Sequence, residues 1–291
     1  MSTTNLVHNQ RAPQKHHRPC KARKHRRWSS PATILSLIVL AIAALWAIVP
    51  GIFAPHDPYN DVDVALLAPN GEYIFGTDAV GRDLFSRVVY GARQSLLGAL
   101  IAVAVGLVLG TLIGLIAGTR RGWVETVLMR LVDVLLAIPG ILLSLSIIIV
   151  TGFGSLQAAF AVGMTSVATF ARLARSQVIQ IANADFVEAA YGSGATQAQV
   201  LFRHVLPNSL TPVLALAALQ FGTAILQLSI LGFLGYGAPP PTPEWGLLIG
   251  EGRDFMATAW WLILLPGLAI VATVMSTNHL SQMIQQEGDA K

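Results

Sequence analysis

Three groups of side chains in this 291-residue chain have types and spacings that could do chemistry. In "TDAVGRD", Thr77 to Asp83, two aspartates stand either side of Arg82. Carboxylates at such a separation suit a hard cation, but a loop tied together by Asp78, Arg82 and Asp83 is the favoured reading. Arg130 and Asp133 lie three residues apart in "RLVDVLLAIPG", the spacing at which side chains on one helix touch. An ion pair is expected there, ahead of a role in a conducting path. Near the N-terminus His8, His16, His17 and His25 accompany Cys20, yet nothing in their spacing resembles a structural zinc site, so a solvated tail without metal is expected. Cys20 is the only cysteine, which excludes a disulfide within the chain. No Walker lysine loop, Gly-x-Ser-x-Gly or HExxH occurs. The chain reads as a non-enzyme with no cofactor and no engine of its own.

The elements that must carry these residues are set by composition. Hydrophobic residues make up 54% of the chain and charged residues 12%, against the roughly one quarter charged of soluble domains, and the mean hydropathy is +0.60. Six uncharged runs, at 31–54, 95–118, 134–151, 155–171, 211–234 and 257–279, approach the ~20 helical residues that cross a ~30 Å hydrocarbon layer. An all-α polytopic membrane protein with six transmembrane helices is expected. Pro139 and Pro266 fall inside runs and should kink them, either to fit a bundle or as hinges. Gly106, Gly110 and Gly114 recur every four residues, a spacing that lets backbones approach closely; packing is favoured over pore lining. At mid-span depth the main polar candidates for lining a path are Gln220, Gln227 and Ser229.

Orientation is read from lysine and arginine. Residues 1–30 hold eight of the 19 basic residues and no acid, which places that tail in the cytoplasm. The tail is expected to orient the chain and attract anionic lipid rather than bind nucleic acid. Six spans then put both termini inside, with Arg120, Arg121, Arg172, Arg175 and Arg203. The segments between, 55–93 and 235–256, carry nine acids against four arginines and fall outside. There the proline-rich "APPPTPEW", Ala238 to Trp245, can hold a surface in place for docking.

One polar island remains, "DFVEAAYGSGATQAQVLFRHVLPNS", residues 185–209. Asp185 with Glu188, and Thr196 with Gln199, have the spacing of reciprocal helix caps. Gly194 stands between them, where a left-handed residue ends a helix cheaply, and Pro207 should stop the second helix. Two short helices hinged at a glycine are expected, the first showing Phe186, Ala189 and Ala190, the second Val200, Leu201 and Val205.

Glu188-Ala189-Ala190, then Gly194, then His204-Val205-Leu206-Pro207, resembles the EAA loop of ABC importer permeases. The histidine in "FRHVLPN", with "FGTDAVGRDLFSRVVYGARQSL" and "LGFLGYGAPPPTPEWGLLIGEGRD", is similar to the C-type permeases of the peptide and nickel branch. The resemblance covers about residues 32–275. It implies a type I ABC importer permease core in a bacterial inner membrane, divided as 1–30 basic tail, 31–93 first helix and outer segment, 94–280 five-helix domain with its EAA loop at 172–207, and 281–291 tail. It implies a second permease subunit, two ATP-binding subunits and an extracytoplasmic solute-binding protein as partners. It assigns coupling to the ATPases to Glu188, Ala189, Ala190, Gly194, His204, Leu206 and Pro207. The cargo so implied is a di- or oligopeptide, with nickel, a metal–chelator complex or glutathione as alternatives. A secondary transporter driven by an ion gradient is the reading from another class; it calls for inverted repeats and paired midplane charges, neither of which the sequence displays.

Overall fold

Ser30 opens the first helix: its hydroxyl oxygen accepts the Thr33 amide, Pro31 brings a preset φ, and α1 runs Pro31–Ile48. The structure, a computed structural model, describes residues 30–120 and 122–288, so the basic tail with Cys20 and its histidines, and Arg121, lie outside the described residues. A single turn, α2 (Pro50–Phe53), leads to a helix-free segment ending at Asp83. The Asp83 carboxylate accepts the amides of Phe85 and Ser86 and so caps α3 (Leu84–Thr119), 36 residues long. Then come α4 (Trp123–Ala137), α5 (Gly140–Thr151), α6 (Ser155–Ala182), α7 (Asp185–Gly192), α8 (Gln197–Val200), a π turn (Leu201–Val205), α9 (Leu206–Phe233), α10 (Trp245–Gly252), a 3-10 turn (Arg253–Phe255) and α11 (Trp261–Gly288).

Among the described residues five helices are long and apolar enough to cross a membrane: Pro31–Ile48, Leu84–Thr119, Ser155–Ala182, Gln197–Phe233 and Trp261–Met283. The run expected at 134–151 is a broken span. Its two pieces, α4 and α5, meet at 98°, so the total is six only if the bent pair counts as one. Pro139 is the cause. It has no amide to donate, and its ring pushes Ile138 out of the helical region, to φ −89° and ψ 129°. Pro266, by contrast, is carried inside α11.

The glycines of α3 are spent on close packing against α6. Gly106 faces Gly163 and Ser166, Gly110 faces Val167 and Phe170, Gly114 faces Ala171 and Ala174, and Gly118 faces Val178. A β-carbon at Gly114 would stand 2.6 Å from that of Ala174. Residue numbers rise together along this contact, so α3 and α6 run parallel, and the sealed seam leaves no pore there. On the other face of α6 the numbers run oppositely: Glu125 meets Arg175, Asp133 meets Arg172, and Gly140 lies near Thr165, so α4 and α5 are antiparallel to α6. The Thr33 hydroxyl reaches His279 Nε2 at 3.2 Å and Met283 Sδ at 3.1 Å, which brings the start of α1 and the end of α11 to one end of the bundle. This near end also holds Thr119, Arg120, Gly122, Trp123 and the 183–205 island. The far end holds 54–83 and 235–260, where Trp46 meets Phe85 edge-on at 5.9 Å.

Candidate functional site

The near-end island begins without a side-chain cap. Ala184 occupies the cap position of α7 and Asp185 is the first helical residue, so the capping role expected of Asp185 with Glu188 is not realised; both are acids in the first turn, where the helix dipole favours them. Gly194 does adopt the left-handed conformation, at φ +86°. Thr196 and Gln199 form a full capping box on α8. Val187, Val200 and Val205 are buried against Val178 of α6 and seat the island on the bundle. Val200 and Val205 therefore point inward instead of being offered to a partner. Glu188, Ala189, Gly194 and Pro207 are exposed, while Ala190, His204 and Leu206 are half-buried. Phe186, Tyr191 and Phe202 also stand out, and the Phe186 and His204 rings lie 6.4 Å apart.

Pro207 does not stop the helix. The Leu206 amide donates to the Leu201 carbonyl, five residues back, and this widened turn makes room for a proline ring that would strike the Arg203 carbonyl in a regular helix. The Asn208 side-chain amide donates to the His204 carbonyl at 2.6 Å. Island and α9 thus join in one helical run of 37 residues. The ion pair expected between Arg130 and Asp133 is also corrected. Asp133 accepts from Arg172 at 2.6 Å, across the α4–α6 contact, and Arg130 makes no ion pair among the described residues. A neighbouring helix offers a guanidinium at better reach than the same helix does one turn away. Arg175 pairs with Glu125 in the same way.

Midway along the bundle, where α4 breaks into α5, lies a cavity of about 270 Å³. Its polar lining comes from Thr165, Ser166 and Thr169 of α6 and Gln220, Thr223 and Gln227 of α9. The Thr165 hydroxyl lies 2.7 Å from the Val162 carbonyl and 3.5 Å from Gln227 Oε1. Among the described residues no charged side chain lines the cavity. Of the three path candidates, Gln220 and Gln227 are brought together there and Ser229 is not: it is buried against Gly246 at the far end.

The far end carries the strongest electrostatics among the described residues. Arg87 is fully buried, donating to Asp78 at 2.6 Å and to Glu251 at 2.7 Å, while Arg82 donates to Asp78 at 2.7 Å. Burial works against the Asp78 carboxylate, but amides of Arg82 and Val80 and the charges of Arg87 and Arg82 outweigh it and hold its pKa below the ordinary value. Asp83 is not part of this knot. It caps α3 and lies 3.3 Å from the His56 ring. Nearby, Glu244 is buried and makes no ion pair among the described residues. It caps α10 through the Gly246 and Leu247 amides and accepts the Ser95 hydroxyl at 3.3 Å. Burial pushes its pKa up to about 6, against those hydrogen bonds. Trp245 is fully buried and donates to the Val88 carbonyl at 2.9 Å. Sequence reasoning missed Arg87, Glu244 and Glu251 as partners. The signal for Arg87 was its place inside "LFSRVV", where a charge among apolar residues needs a counter-charge.

The chain matches the family described as binding-protein-dependent transport system inner membrane component over residues 110–286. It is 40% identical over 258 residues to the dipeptide transport system permease protein DppC of Alkalihalophilus pseudofirmus, covering 89% of this chain and 83% of that one. It is 39% identical over 271 residues to the glutathione transport system permease protein GsiD of Escherichia coli O157:H7, covering 92% and 88%. Among solved structures, the inward-facing MetNI methionine ABC transporter matches with a TM-score of 0.55 at 16% identity, over 68% of this chain and 96% of that one. An amino acid ABC transporter with histidines matches with a TM-score of 0.56 at 16% identity, over 69% and 94%. These structural likenesses speak to the fold.

Proposed function

The chain belongs to the family of binding-protein-dependent transport system inner membrane components, and on that premise we propose that it is the permease subunit through which an ATP-driven importer passes short peptides. Members of this family are multi-pass membrane proteins that work with ATP-binding subunits and a solute-binding protein. The fuller assembly, with a second permease and two ATPases around a five-helix core at 94–280, belongs to the proposal, as does the cytoplasmic position of both termini. The peptide cargo is supported by the names borne by its relatives, a dipeptide and a glutathione permease.

One observation carries the mechanism: the helical run from Gln197 to Phe233 joins the exposed island directly to the side chains of the mid-bundle cavity. In this reading Glu188, Ala189, Ala190 and Gly194 dock on an ATPase, and His204, Leu206 and Pro207 carry the hinge into α9. Closure of the ATPases on ATP draws the island with them, α9 tilts, and the cavity around Gln220 and Gln227 changes the side from which it is open. The test is uptake of radiolabelled dialanine by proteoliposomes containing the permeases, the ATPases and the solute-binding protein. Uptake should require internal ATP and all components. Uptake by this chain alone, driven by an imposed ion gradient, would overturn the reading.

A further inference from the structure

We infer that the mid-bundle cavity recognises the peptide bond of its cargo through the carboxamides of Gln220 and Gln227, which makes these two the specificity-determining residues of the path. The inference rests on the peptide reading above. Among the described residues the Gln220 carboxamide has no hydrogen-bond partner, and Gln227 has only the 3.5 Å approach of the Thr165 hydroxyl to its Oε1, which leaves its Nε2 free. Both side chains are half-buried on the cavity wall, so their spare donors and acceptors face its contents, water or a ligand able to replace it. A trans peptide bond presents its N–H and C=O on opposite edges of one plane, so between two carboxamides one can accept from the N–H while the other donates to the C=O.

The rest of the lining argues the same way. A cargo side chain of either charge finds no counter-charge in the cavity, so selection by side-chain charge is not built into it. A bare transition-metal ion finds no carboxylate, imidazole or thiolate there, which are the ligands such ions take. Three of the four lining hydroxyls are already turned to their own helix, Thr165 toward the Val162 carbonyl at 2.7 Å, Ser166 to the Gly163 carbonyl at 2.8 Å and Thr223 to the Leu219 carbonyl at 3.4 Å, which leaves Thr169 beside the two carboxamides. At about 270 Å³ the space equals roughly nine waters at ~30 Å³ each, room for one peptide unit and its flanking carbons at a time. Gly140 at the start of α5 borders the Gln227 amide: a β-carbon there would stand 3.4 Å from Gln227 Nε2, so the helix break brings bare backbone to that side of the cavity.

The experiment compares dialanine with its ester analogue, in which oxygen replaces the peptide N–H, in the complete reconstituted importer. Rates are divided by the affinity of the solute-binding protein for each compound, measured separately. The wild type should favour the amide about threefold to tenfold, the range of one net hydrogen bond. Gln227→Leu and Gln220→Leu should each bring that ratio toward one, with co-purification of all subunits showing that the complex is intact. Gln227→Asn keeps a carboxamide and should give an intermediate ratio, which separates recognition from a packing defect should a leucine variant fail to assemble. A wild-type ratio of one, or leucine variants that transport with an unchanged ratio, overturns the inference and leaves the peptide reading standing. A wild-type complex that moves neither compound, although both load the solute-binding protein, sinks the peptide reading itself.

Discussion

Arg87 and Asp133 are both ion-paired, and the contrast between them shows what burial does to a charge. Arg87 has no exposed side-chain surface and serves Asp78 and Glu251 together, whereas Arg172 and Asp133 are 57% and 54% exposed. Removing Arg87 takes one of two guanidinium partners from Asp78 and leaves Glu251 with only the 3.8 Å approach of Arg82, so Arg87→Met should cost about 3 kcal/mol, read as a lowered thermal midpoint of the detergent-solubilised protein. Asp133→Ala should leave that midpoint unmoved, because exposed pairs gain little in high dielectric. Equal shifts for the two variants would contradict this account. Glu244 gives a pH dependence. Its folded pKa is raised from 4.5 to about 6, so folding favours the protonated form. The stabilisation is complete below about pH 4.5 and is lost as pH rises through about 6. A shift of that size is worth about 2 kcal/mol. Glu244→Gln, neutral at every pH and still able to cap α10, should flatten the difference in midpoint between pH 4.5 and 7; an unchanged slope would assign the dependence to another group.

At the scale of elements, two glycines act for opposite reasons. Gly110 of α3 is needed for proximity: a β-carbon there would lie 2.5 Å from that of Phe170, so Gly110→Leu should separate α3 from α6 and abolish recovery of folded protein. Gly194 is needed for its backbone, at φ +86° with nothing near its missing side chain. Gly194→Val should therefore insert normally yet uncouple ATP hydrolysis from uptake, as should Glu188→Lys. Normal uptake by both variants would remove the island from the coupling role. The glycine period in α3 and the capping box at Thr196 were legible in the sequence because each depends on neighbours a fixed number of residues away. What was not legible depends on other segments. The partner of Asp133 is Arg172, on α6. Pro139 and Pro207 look alike as text, yet one breaks its span by 98° while the other is absorbed by a π turn. The difference lies in whether a widened turn can move the obstructing carbonyl, which tertiary contacts decide. Gln220 and Gln227 were readable as path candidates from depth alone; that Ser229 faces α10 required the fold.

For the whole molecule, function turns on which end faces the cytoplasm. The meeting of Thr33 with His279 and Met283 puts the start of α1 and the end of α11 at one end whichever way the bundle is inserted. The sign of the charge then decides. Residues 1–30 carry eight basic residues and no acid, and Arg120, Arg172, Arg175 and Arg203 lie at the same end, against nine acids and four arginines in 55–93 and 235–256. Because retention of basic segments on the cytoplasmic side sets orientation, the near end should be inside. With Cys20→Ser as background, single cysteines at Asp61, Asp254 and Ser193 test this, since all three positions are exposed. Glu244 is unsuitable for labelling, being buried beneath the outer surface. A membrane-impermeant maleimide applied to intact spheroplasts should label Asp61→Cys and Asp254→Cys at once and Ser193→Cys only after permeabilisation. If the far end is where the solute-binding protein docks, saturating amounts of that protein should also slow labelling at Asp61→Cys and Asp254→Cys while leaving Ser193→Cys unaffected in permeabilised samples. Immediate labelling of Ser193→Cys alone would invert the molecule, and the exposed island could then no longer reach a cytoplasmic ATPase.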